Sequence, residues 1–198
     1  MASGCQNQQP DRSFVSGKPC LPPCWYGLQP GLSVLEDVRP VLRSLEFVDQ
    51  RSVTQVARVW LNDPAAIEVR WDCVRPGISG CGRAVFSRDI LQAIWYAPGY
   101  KLTFSDAVNE LGPPECLADG IAQSEAGGCT IDLFWPAQGV SVGMANQHSR
   151  RECQAIQDTG KLDGTARVDL IIYGVVDALG NPACPCCGLR SWLGFSDP

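Results

Sequence analysis

The sequence predicts an α+β protein of two tandem units, each a short helical segment packed on a small antiparallel sheet and stapled by disulfides. Three observations carry this prediction. A helix-start pattern at Leu32-Ser33 recurs at Leu102-Thr103, with an apolar residue, a hydroxyl N-cap, an acid one turn on and apolar positions behind it. Runs of alternating apolar residues follow each start. Eleven cysteines stand beside one histidine and two methionines, so cross-links are built into the chain.

Taken in order, residues 1–17 read as a polar tether. Within it, Ala2-Ser3-Gly4-Cys5 looks like the end of a bacterial lipobox, whose cysteine is acylated. The apolar segment expected before such a motif is not in the sequence, as in a mature form or trimmed leader carrying an added methionine. Residues 18–98 form the first unit. Pro19, Pro22 and Pro23 favour an extended path to Trp25-Tyr26-Gly27, and Pro30-Gly31 marks a turn. Ser33 with Glu36 reads as a capping box, and Val34, Leu35, Val38, Val41, Leu42 and Leu45 give a helical stripe. Pro40 removes a donor inside it, so two short helical pieces are expected. Alternation is blurred from Ser52 to Trp60. Strands are expected at Ile67–Trp71, Arg83–Phe86 and Ile90–Tyr96, with short turns implying antiparallel pairing.

Residues 99–180 form the second unit. Thr103 caps a helix with Asp106 as the capping acid, Phe104, Ala107, Val108 and Leu111 on its apolar face, and Gly112-Pro113-Pro114 as its stop. Thr130–Trp135 alternates cleanly, Gly139–Met144 does so more weakly, and Val168–Val176 is the most apolar run and the expected central strand. Residues 146–165 read as a long loop or a short helix over Arg151 to Asp158. Residues 181–198 are a Cys- and Trp-rich tail packed back on the body.

The thiol content points to an oxidising, extracytoplasmic compartment, either the cell envelope or a secreted state. Setting Cys5 aside leaves Cys20, Cys24, Cys73, Cys81, Cys116, Cys129, Cys153, Cys184, Cys186 and Cys187 as disulfide candidates. Spacing suggests that Cys73–Cys81 and Cys116–Cys129 each staple a loop between extended segments. Cys20, Cys24 and Cys153 would then share partners with Cys184, Cys186 and Cys187. A net charge of −5 without any extended basic run works against nucleic acid or an anionic membrane as partner. Contact with a membrane is expected only through a lipid on Cys5.

The residues Leu102-Thr103, Ala107-Val108, Leu111-Gly112 and Pro114 resemble the recurring pattern of the BamE/SmpA outer-membrane lipoproteins and of the β-lactamase inhibitor protein. In those proteins a capped helix and a Leu-Gly-x-Pro stop precede a small antiparallel sheet. Gly31-Leu32-Ser33 and Val38 fit the same start, although Lys101 stands where the pattern has glycine and Pro40 interrupts the first helix. The Cys-x-x-Pro-Cys-Trp opening and the Trp192–Phe195 close are also similar to uncharacterised bacterial lipoproteins. The resemblance implies tandem helix-on-sheet units used as a binding surface, with no catalysis.

The chemistry of individual residues agrees with that expectation. No nucleophile elbow, phosphate loop or His-Glu-x-x-His is present, and His148 stands alone. Three thiols in Cys184-Pro185-Cys186-Cys187 offer a thiolate metal site or a redox pair, with Cys153 or His148 as a further ligand, but an oxidising compartment favours structural disulfides. Cys20-Leu21-Pro22-Pro23-Cys24 has the wrong spacing for a thioredoxin-like pair and reads as a staple. Trp25, Tyr26 and Trp192, in irregular segments, are the candidate binding residues. The expected function is a lipid-anchored envelope module without enzyme activity, cofactor or metal, binding a protein or another envelope component, with homo-oligomerisation open. The alternatives are a secreted redox or metal protein using the C-terminal cysteines, and a subunit of an extracellular assembly joined through an edge strand such as Ile67–Trp71 or Val168–Val176.

Overall fold

Strand-forming residues in this chain fall into two runs of four strands, each preceded by a helix. The structure is a computed structural model that describes residues 14, 17, 19–60, 63–74, 80–121, 129–145, 154, 158–159, 161–174, 186 and 190–195. Helix α1 (Leu35–Ser44) leads into strands β1 (Val48–Trp60), β2 (Asp63–Cys73), β3 (Gly82–Ser87) and β4 (Ile90–Tyr96). Helix α2 (Phe104–Leu111) leads into β5 (Cys116–Ile121), β6 (Cys129–Trp135), β7 (Val140–Ala145) and β8 (Leu170–Gly174), and the two-residue β9 is Arg190–Ser191.

The two-unit architecture expected from the sequence is wrong at this level. The nine strands among the described residues belong to one sheet, in the order β1-β2-β3-β4-β8-β7-β6-β5-β9. Neither meander keeps a sheet of its own, because β4 and β8 pair antiparallel from Ala93–Gly174 to Tyr96–Ile171. An unpaired strand edge in the middle of the molecule would leave backbone donors and acceptors without partners, and this pairing satisfies them. The strands proposed as edges are therefore interior: Ile67–Trp71 lies in β2 between β1 and β3, and β8 lies between β4 and β7. The expectation of a central strand at β8 agrees with that order.

Both helix starts are clipped to the sheet in similar ways. Before α1, the Gly31 amide donates to the Leu91 carbonyl, and the Leu91 amide to the Ser33 carbonyl, each at 2.8 Å. Before α2, the Val168 amide donates to the Leu102 carbonyl at 2.8 Å and the Phe104 amide to the Ala166 carbonyl at 3.1 Å. The α2 cap matches the sequence reading: the Asp106 amide donates to Thr103 Oγ1 at 3.1 Å, and the Thr103 amide to Asp106 Oδ2 at 2.9 Å. The α1 cap is displaced by one residue. Val34 is the N-cap, its amide donating to Asp37 Oδ2, whereas the Ser33 hydroxyl accepts from the Gln29 amide in the preceding turn. Pro40 does not split α1, which is continuous. It sits on the exposed side, where a carbonyl released from the ladder faces water, while Val38 and Leu42 face the core.

The helices and the inner face of the sheet enclose one apolar core. Trp71, Phe86, Ile94, Tyr96, Ile171, Tyr173, Leu133 and Trp135 meet Val38, Leu42, Phe104 and Ala107 there. Trp25 belongs to this core, fully buried and stacked on Trp71 at 5.3 Å, with Tyr96 and Phe47 around it. The chain reaches that position through a tight hairpin in which Trp25 and Leu28 exchange backbone hydrogen bonds. Tyr26 and Gly27 both adopt positive φ at its tip, a conformation that glycine takes without steric cost.

Three disulfides close among the described residues. Cys73–Cys81 matches the expected staple. Cys116 bonds to Cys186 and not to Cys129, so the tail is tied to β5 across 70 residues of sequence. Cys20 and Cys24 bond to each other and not to the C-terminal cluster. Cys5, Cys153, Cys184 and Cys187, the side chain of Cys129, His148 and most of the expected helix over 151–158 lie outside the described residues. The three bonds are consistent with an oxidising, extracytoplasmic location.

The Trp71 ring lies directly over Gly82, its cross-strand partner, so that a β-carbon there would collide with the indole. Gly82→Ala is expected to lower stability by about 1–3 kcal/mol, as overpacking does in a close-packed core. Urea unfolding followed by tryptophan fluorescence checks this, and an unchanged midpoint would contradict it.

Candidate functional site

The outer face of the sheet, opposite the helices, is where polar chemistry collects. Strand alternation puts Glu68 and Arg70 of β2, Arg83 and Val85 of β3, and Ala93 and Trp95 of β4 on this face, while Val69, Trp71, Ala84 and Ile94 point into the core. On β1, Val56 pairs with Glu68 and Thr54 with Arg70, so β1 contributes Thr54, Val56 and Arg58 to the same face.

Register brings these residues together. Arg70 stands directly opposite Arg83, and Arg83 directly opposite Trp95. Two like charges facing each other across a ladder repel, and Glu68 supplies the counter-charge. Its carboxylate is fully buried and accepts from Arg58 and Arg70, one on each oxygen. Burial alone would push the Glu68 carboxyl up, but the hydrogen bonds and charges of Arg70 and Arg58 outweigh it and hold the group below its usual range. Burial also lowers the affinity of Arg83 for its proton, with Glu68 acting in the opposite direction and the other two arginines adding to the decrease.

Two tryptophans wall the cluster. The Arg83 guanidinium lies 4.5 Å from the centre of the Trp95 ring, Arg58 lies 5.9 Å from that of Trp60, and the two indoles meet edge to face at 5.2 Å. Ala66, Val85 and Ala93 are buried on this face of the sheet. The result is a half-exposed aromatic surface across β1 to β4 in which three arginines surround one glutamate, with Asp72 and Asp49 on the same face beyond Arg70. Geometry of this kind suits recognition of carboxylates or other anions, because guanidinium groups offer planar forks of donors and the rings limit their motion.

Comparison with family models, with curated proteins and with solved structures gives no match to this chain. The likeness to the BamE/SmpA lipoproteins and the β-lactamase inhibitor protein accordingly rests on the short motifs quoted above.

The binding residues expected from the sequence do not form a common site. Trp25 is a core residue and has no surface to offer. Tyr26 is half-buried against Trp25 and Phe47, on the β1–β4 side. Trp192 is half-buried at the other end of the sheet, next to β9, and packs edge to face on Phe195 at 5.0 Å. Among the described residues no group of His, Cys, Asp and Glu is placed to hold a metal, and no helix is long and apolar enough to cross a membrane.

The same outer face carries a second polar feature on β6. Asp132 pairs with Ala118 on one side and Gly143 on the other, and the lack of a side chain at Gly143 is what makes room for its carboxyl. Burial pushes the Asp132 carboxyl up to about 6 from 3.8. An acid that holds its proton more tightly in the folded chain loses stability as pH rises from about 4 through about 6, and the loss persists above that window. Asp132→Asn is therefore expected to raise stability by about 2–3 kcal/mol near pH 7.5 and to change little near pH 3.5. Urea unfolding at the two pH values checks this, and an equal effect at both would contradict it.

Proposed function

We propose that the protein is an extracytoplasmic binding module, held at the cell envelope through Cys5, whose recognition surface is the arginine and tryptophan face of β1 to β4. The observation that carries this reading is the placement of Arg58, Arg70 and Arg83 around the buried Glu68 and over Trp60 and Trp95. Arginine and tryptophan dominate the energetically important residues of protein interfaces, since each combines a large contact area with directional donors. Within the cluster three arginines stand against Glu68, and the other acids of this face, Asp72 and its partner Asp49, lie beyond Arg70, so carboxylates of a partner find free donors at the arginines themselves.

A redox or metal function at the C-terminal cysteines is less well supported. Cys186, the middle thiol of that cluster, is closed onto Cys116. That bond places Cys186 at the outer face of β5, since Cys116 shares a face with Phe134, Ser141, Ile172 and Trp95.

Photocrosslinkers placed at Val56 and Arg70 in protein displayed on its native envelope test the reading, with Arg39 on the exposed side of α1 as control. Partner adducts are expected from Val56 and Arg70 and not from Arg39. Reversing Arg58 and Arg70 to glutamate is expected to weaken partner binding by at least about tenfold, with loss of its salt sensitivity. Adducts from Arg39 alone, or full binding by the reversed variant, would contradict the proposal.

A further inference from the structure

The arginine face borders the outer edge of β1, and the two together define a more specific ligand. We propose that the partner presents an acidic, extended segment that adds to β1 as a further strand, placing its carboxylates on the arginine face. This inference rests on the recognition surface proposed above and adds the mode of binding and the chemistry of the bound segment.

β1 is the terminal strand of the sheet, and among the described residues it is paired on one side only, by β2. A terminal strand presents a row of backbone donors and acceptors to solvent, which proteins ordinarily protect by keeping the strand short or by placing lysine or proline on it. β1 carries charges at Asp49, Arg51 and Arg58 and a register shift toward each end, but its middle has no such safeguard. The strand spans 13 residues, and Ser52-Val53-Thr54-Gln55-Val56-Ala57 carries no charge and no proline. Residues 54–57 are exposed, and the regular ladder from Thr54 to Arg58 lies between two register shifts, which gives an open stretch of defined length.

Alternation then fixes where the side chains of an added strand would fall. Alternate residues lie beside Thr54, Val56 and Arg58 on the arginine face, within reach of neighbours one strand away and of long side chains further off. The Arg58 side chain is 34% exposed and that of Arg70 is 54% exposed, so both guanidinium groups can meet an incoming carboxylate. Val56 stands between them at the edge and offers an apolar contact. The sequence that fits is acid, any residue, apolar, any residue, acid.

Charge selects this occupant over a second copy of the chain. Antiparallel self-pairing of β1 about a two-fold axis keeps the two outer faces on one side, so three further arginines would join the three already there. An acidic segment pairs with the half-exposed Arg58 and Arg70 instead.

The test uses the folded protein and the peptide Thr-Glu-Thr-Val-Thr-Glu-Thr with blocked ends, followed by amide chemical shifts and tryptophan fluorescence at up to about millimolar peptide. Three comparisons accompany it: the same peptide with lysine for glutamate, the same peptide N-methylated at alternate amides on either register, and Arg58→Gln protein. Expected results are shifts centred on β1, protection of β1 amides, loss of binding by the lysine peptide and by the N-methylated peptide whose methyl groups face β1 but not by the one methylated on the other register, and about tenfold weaker binding to Arg58→Gln. Equal binding by the N-methylated peptides would overturn strand addition while leaving acid recognition by the face intact. Equal binding by the lysine peptide would overturn both. No binding by the acidic peptide would overturn the inference alone, since the crosslinking result stands independently of it.

Discussion

Pairing between β4 and β8 is the constraint on which the rest of the structure depends. It joins two four-stranded meanders, each led by its own helix, into one sheet, and it places both helices over a shared core. Gly174 is the residue that permits the join at its far end: it adopts positive φ, and a β-carbon there would meet the Gln92 carbonyl and Ala93 on the neighbouring strand. Because β4 and β8 face each other, they cannot be edges, and the terminal positions pass to β1 and β9. The location of the open edge is thus a consequence of the join.

The sheet separates two kinds of chemistry. Its inner face is aromatic and aliphatic, with Trp25, Trp71 and Trp135 fully buried. Its outer face changes character from one end to the other. Near β5 and β6 lie the Cys116–Cys186 bond and the half-buried Asp132. Near β1 to β4 the arginines and tryptophans form the surface themselves. Glu68 steadies that arrangement: it accepts from Arg58 and Arg70 and attracts Arg83, which offsets the repulsion between Arg70 and Arg83 across the ladder.

Much of the local structure was legible in the sequence and most of the global arrangement was not. The α2 cap can be read because the side chains of Thr103 and Asp106 bond to each other and to each other's amides, within one turn. Ser33 misled because its hydroxyl is taken by the Gln29 amide, which passes the cap to Val34 and Asp37. Ile67–Trp71 alternates strictly and reads as a strand with Glu68 and Arg70 on one face, but nothing local says that Arg58 and Arg83 come to flank them. β1 lacks a strand signal in its sequence for a physical reason. Open at its edge and exposed along much of its length, it has no need for the apolar periodicity by which half-buried strands are recognised. Trp25, in a proline-rich irregular segment, looked like a surface residue because the aromatic neighbours that bury it, Trp71 and Tyr96, are distant in sequence. The pairing of Cys116 with Cys186 is equally non-local.

One continuous sheet, closed at β4 and β8 and open at β1, is the claim that everything else requires. Amide hydrogen exchange on the native protein in increasing denaturant tests it directly. The expected result is that β4 and β8 amides exchange last and together, through unfolding of the whole sheet, while alternate amides along β1 exchange rapidly from its unpaired side. Separate loss of protection in the two meanders, or uniform protection along β1, would contradict the account.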